Sequence, residues 1–98
     1  MASVGTPKAG VFSEGQAGVV AERIAARLRG ATASAEYGGR GVCYLEFGGN
    51  RVAKTAVTFV SGKPPTGDWE GPSEAAVAEK AEFGTSRIQR WFGRSWPR

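Results

Sequence analysis

Three places in this chain of 98 residues hold residue types that could do chemistry. The first is the run Thr6-Pro7-Lys8-Ala9-Gly10-Val11-Phe12-Ser13-Glu14-Gly15-Gln16-Ala17, which passes directly into a helical pattern ending at Gly30. A proline, a lysine and a glycine opening an apolar helix leave backbone N–H groups unpaired at the positive end of the helix dipole. That arrangement suits an acceptor-rich ligand. The plainer reading is a surface helix start with proline at the first helical position. The second place is Cys43, the only cysteine. A reactive thiolate needs partial exposure and a positive environment; between Val42 and Tyr44 in a strand pattern, a small buried hydrophobe is the better reading. Without a second cysteine the chain has no internal dithiol cycle. The third is Arg87, Arg90, Arg94 and Arg98, interleaved with Trp91, Phe92 and Trp96. Such a cluster can stack on bases and hold phosphates. The rest of the chain has no basic stripe, so an amphipathic terminal helix is preferred and no nucleic-acid partner is expected.

Other constellations carry less. Gly38-Gly39-Arg40-Gly41 lacks the preceding strand, following helix and Lys-Ser/Thr of a phosphate loop, and reads as a turn into a strand. Glu79 and Glu82 read as helix-surface acids beside Lys80 and Arg87. There is no histidine, so no metal site is expected, and no catalytic residue stands out. Net charge is +4, with 41% hydrophobic and 22% charged residues, an ordinary globular balance. No signal-peptide core or membrane-length apolar run is present, which points to a reducing, cytoplasmic setting.

These residues need elements to position them. Residues 1–6 read as a loose lead-in and residues 7–30 as a helix. Its expected apolar stripe is Ala17, Val20, Ala21, Ile24 and Leu28, and its stop is Gly30. Residues 31–41 are a small-residue connector. Residues 42–59 alternate with period two on either side of Gly48-Gly49-Asn50, a hairpin signal. Cys43, Leu45 and Phe47 share an apolar face that the first helix is expected to cover, as do Ala53, Thr55, Val57 and Phe59. Residues 62–72, with Pro64, Pro65 and Pro72, read as an irregular loop anchored by Trp69. Residues 73–93 form a second helix with Val77, Ala81, Gly84, Ile88 and Trp91 along one face, a possible break at Gly84, and Gly93 and Pro97 at its end.

From Thr6 to Phe92 the order of these features resembles one known arrangement. Pro-Lys-x-Gly opens a helix containing Glu-x-Gln-Ala. A strand follows with Cys43, Tyr44 and Glu46 before Gly48-Gly49, then a Pro-rich loop, then a helix running from Lys80-x-x-Phe83 to Trp91-Phe92. This is similar to the C-terminal domain of FAD-dependent pyridine nucleotide-disulfide oxidoreductases of the sulfide:quinone oxidoreductase and flavocytochrome c sulfide dehydrogenase type. The resemblance implies an α+β domain that closes over the flavin and contributes to assembly. It implies that the backbone around Pro7, Lys8, Ala9 and Gly10 meets the pyrimidine edge of FAD. No G-x-G-x-x-G fingerprint occurs in the 98 residues, so most of an FAD site would lie on a separate domain.

The resulting expectation is a single α+β domain, with a long helix packed on a β-hairpin or small antiparallel sheet and followed by a C-terminal helix. It would serve as a flavin-capping and interface domain, inactive alone, whose partners are an FAD-binding domain or subunit and further copies of itself. The alternative is a freestanding homo-oligomeric interaction module, one variant of which complements a separate flavin subunit.

Overall fold

The computed structural model describes residues 5–95. Its elements run α1 (Gly10–Leu28), β1 (Arg40–Gly48), β2 (Arg51–Thr58), β3 (Thr66–Ser73) and α2 (Ala75–Phe92). The strands form one antiparallel sheet in the order β1-β2-β3, giving the expected α+β architecture. The β1–β2 turn is set by residue type. Gly48, Gly49 and Asn50 all have positive φ, at 76°, 56° and 57°, a region open to glycine and tolerated by asparagine. Positive φ at both central residues is what a two-residue hairpin turn of matching twist requires.

The expected loop at residues 62–72 is corrected: Thr66–Ser73 is a strand. Its composition, with Gly67, Gly71 and Pro72, looks unlike a strand because it lies at the edge of the sheet. Only one side of an edge strand must be hydrogen-bonded, so proline is tolerated there. Gly67 meets a close neighbour, since a Cβ there would come within 2.9 Å of Val57 and 3.1 Å of the Ala56 carbonyl. Trp69 does not anchor the segment; it is 58% exposed.

The chain divides into two compact units, Met1–Val42 with Ala56–Asp68, and Cys43–Thr55 with Trp69–Arg98. In the first, Phe12 is the largest fully buried side chain. Its ring meets Phe59 edge-on, with centroids 5.8 Å apart, and lies against Gly41, where an added Cβ would fall 2.7 and 2.8 Å from ring atoms. The connector after α1 runs back along the helix. Arg23 donates to the Ala35 carbonyl at 2.8 Å, and the Tyr37 ring lies over Gly15, 3.3 Å from where a Cβ would stand. The end of α1 is a Schellman motif: Ala31 N–H bonds the Ala26 carbonyl and Gly30 N–H the Arg27 carbonyl, with Gly30 at φ 71°. Gly30 is therefore the stop expected of it.

The buried face of α1 is not the expected one. Phe12, Gln16 and Ala26 are buried, whereas Val20, Ile24 and Leu28 are 53%, 55% and 84% exposed. Polar residues face inward because nearby segments satisfy them: Gln16 Nε2 donates to Thr6 Oγ1 at 3.0 Å, and Arg23 finds Ala35. Thr6 is itself buried, so the lead-in is tied down there; residues 1–4 lie outside the described residues. An exposed apolar residue contributes little to the stability of the separate chain. Ile24→Ala and Leu28→Ala are each expected to change the unfolding free energy by no more than about 0.5 kcal/mol. Urea melts check this; a loss of about 2 kcal/mol or more, typical of buried positions, would mean that the stripe is covered.

In the second unit α2 buries Ala76, and its Glu79, Lys80 and Phe83 reach residues of β1 and β2. Tyr44 meets Phe83 edge-on at 5.5 Å. Ser73 Oγ accepts from Ala76 N–H at 3.2 Å, supplying a cap at the helix start. The helix continues through Gly84, which has open space around it, so no break occurs there. Gly93 ends it at φ 63°, with its N–H on the Gln89 carbonyl; Pro97 lies outside the described residues. Trp91, placed by sequence on the packing face, is 57% exposed.

Candidate functional site

Residues Pro7, Lys8, Ala9 and Gly10 come together at the start of α1, but the helix begins three residues later than the proline suggested. Ala9 is the N-cap, in extended conformation, with no side-chain cap bond, and no acidic residue lies in the first turn. Pro7 therefore precedes the helix instead of opening it. The Ala9 carbonyl accepts from both Phe12 and Ser13 N–H at 3.1 Å. The N–H groups of Gly10 and Val11 thus precede any helical carbonyl that could pair with them. Pro7, Lys8 and Gly10 are exposed and Ala9 half-buried; nothing lies within 4 Å of the position a Gly10 Cβ would take. The approach is open, and no acidic residue in the first turn offsets its partial positive charge.

Two anchors missed in the sequence hold this segment. One is the buried Thr6–Gln16 hydrogen bond, for which no sequence pattern exists. The other is Phe12 in the first turn of α1, which packs on Phe59 and Gly41. Gly5, just before the anchored Thr6, contributes to a groove of about 660 Å³ whose other walls are Phe59, Val60, Ser61, Gly62, Lys63 and Pro65.

The remaining candidates occupy other places. Cys43 is half-buried on β1. Arg87 is engaged within its own helix: its guanidinium lies 3.5 Å from the Phe83 ring centroid, and Nη1 donates to the Phe83 carbonyl at 3.0 Å. This stacking takes one arginine out of the cluster that had suggested bases and phosphates. Arg98 and Trp96 of that cluster lie outside the described residues. Glu79 pairs with Lys54 of β2 at 2.7 Å, and Lys80 pairs with Glu46 of β1. The hydrogen bond from Lys80 holds the Glu46 carboxyl below its ordinary range, so that pairing is lost as pH falls through the lowered value. The hydrogen bond to Glu79 raises Lys54, so that pairing is lost as pH rises through the raised value. Both pairs are solvated and modest in effect.

Among the described residues no group of three or more His, Cys, Asp or Glu could hold a metal ion. No helix among them is long and apolar enough to cross a membrane. Compared with protein-family models, curated proteins and solved structures, the chain matches none.

Proposed function

We propose that this chain is a flavin-capping and interface domain of an FAD-dependent oxidoreductase similar to the sulfide:quinone oxidoreductases, working with an FAD-binding domain or subunit and inactive alone. The observation that carries the reading is the start of α1: a helix terminus with no side-chain cap, no acid in its first turn and an open approach at Gly10. When bound, FAD would supply the redox chemistry. The backbone of Lys8, Ala9, Gly10 and Val11 would face its acceptor-rich pyrimidine edge, and the helix dipole would favour negative charge developing there. Pro7 stiffens the approach through its fixed φ. The exposed stripe Val20, Ile24 and Leu28 on the same helix is an apolar surface that an FAD-binding domain would cover.

Titrating the ¹⁵N-labelled chain with lumiflavin tests the site directly. The Gly10 and Val11 amides are expected to shift progressively, and Gly10→Asp, which places a carboxylate at the terminus, is expected to abolish the shifts. Absence of any shift at millimolar lumiflavin would overturn the reading. So would flavin-dependent turnover of sulfide or NAD(P)H with a quinone by the pure chain, which would make it an enzyme in its own right.

A second reading, assembly of this chain with itself, is favoured by Leu45 and Phe47. They lie on one face of β1 by strand alternation and are 42% and 58% exposed.

A further inference from the structure

The two edges of the sheet are built differently. β3 carries Asp68, Glu70 and Pro72, devices that keep an edge strand from pairing with another chain. β1, at the other edge, has no proline and no lysine along its nine residues Arg40–Gly48. Its two charges are Arg40, at its first residue, and Glu46, which Lys80 of the same chain neutralises. An edge with no proline, whose central charge is already paired within the chain, is better suited to receive a strand than the edge at β3.

We propose that β1 pairs antiparallel with β1 of a second copy, about a two-fold axis at Leu45; this deepens the self-assembly reading and rests on it. The segment Cys43-Tyr44-Leu45-Glu46-Phe47 is symmetric in kind about Leu45. In that register Leu45 stands opposite its own copy, and Cys43 opposite the second copy's Phe47, so the exposed apolar side chains cover one another. Tyr44 faces the second copy's Glu46 on the other side, where Phe83 and Lys80 already pack. The product is a six-stranded sheet whose only remaining edges are two copies of β3. Both are guarded, so growth stops at two, as an isologous interface requires. A strand edge with two apolar residues is a small interface, so the dimer dissociates on dilution.

Sedimentation equilibrium over a wide concentration range tests this. The mass is expected to rise from 10.3 kDa to twice that value and no further. Leu45→Lys sets two like charges opposite each other and should hold the chain at monomer mass with unchanged far-UV circular dichroism. Independently, Leu45→Cys in a Cys43→Ser background should give a single disulfide-linked dimer under copper–phenanthroline, whereas Cys43 alone, offset from its own copy, should not. A chain that stays monomeric overturns both this proposal and self-assembly. A dimer that is indifferent to Leu45→Lys, and that the Leu45→Cys variant fails to cross-link, overturns the β1 interface but leaves self-assembly standing. Open-ended growth overturns closure at two.

Discussion

Gly39→Ala lowers the unfolding free energy by about 2–5 kcal/mol, the largest loss expected from any single methyl group added to this chain. Two costs add. Gly39 has φ 76°, where a side chain costs about 1–2 kcal/mol. A Cβ there would also run into the Phe59 carbonyl, a backbone group that cannot swing aside; overpacking of that kind costs about 1–3 kcal/mol. The same stretch of backbone forms the bond from Phe59 N–H to the Gly39 carbonyl at 2.9 Å, so displacement would strain the pairing that leads into β1 and β2. At about 4–8 °C per kcal/mol for a domain of this size, the melting temperature falls by about 10–40 °C. Its neighbour provides the control: Gly38 has open space and no positive φ, so Gly38→Ala stays within about 0.5 kcal/mol of the parent. Equal effects in parallel urea melts would refute this account of Gly39.

Phe12→Ala is the second large expectation, a loss of about 3–5 kcal/mol. Phe12 is 1% exposed, and its ring meets Phe59 edge-on and lies against Gly41. Glycine has no side chain with which to fill the space left by an aromatic ring, so the cavity persists and the cost lies toward the upper end of that range. The ring also belongs to the first turn of α1, so its removal loosens the backbone proposed to face the flavin. Urea unfolding should show a lower midpoint, and the lumiflavin-dependent shifts at Gly10 and Val11 should weaken together with it. Unchanged stability would mean that the ring is not the anchor of its unit.

Much of the backbone was legible because its signals are local. Gly30 and Gly93 end their helices through left-handed conformations that glycine adopts freely, and Gly48-Gly49-Asn50 makes its turn for the same reason. What escaped depended on distant partners. Val20, Ile24 and Leu28 form the better apolar stripe, yet Gln16 faces inward because Thr6 lies ten residues away to meet it, and Arg23 does so because the connector returns with the Ala35 carbonyl. No periodicity encodes such meetings. β3 escaped because the residues that guard an edge strand are those that otherwise signal a loop. At the candidate site, Pro7 to Gly10 do gather at the helix start, but Pro7 precedes it and Ala9 takes the N-cap. The anchors Thr6 and Phe12 were invisible as such.

The tether between Thr6 and Gln16 bears on how fast a ligand could be captured as well as how tightly. A segment that wanders before binding must be frozen at each encounter, which costs free energy and makes many collisions unproductive. Here a buried side-chain bond holds the residue just before Pro7 against the second turn of α1. The three residues that follow, Pro7 to Ala9, span a fixed gap between that bond and the first helical turn. Whatever docks against Gly10 meets a rim already shaped, so its arrival is governed by diffusion and orientation, and cutting the tether would slow capture before it altered any contact in the finished complex.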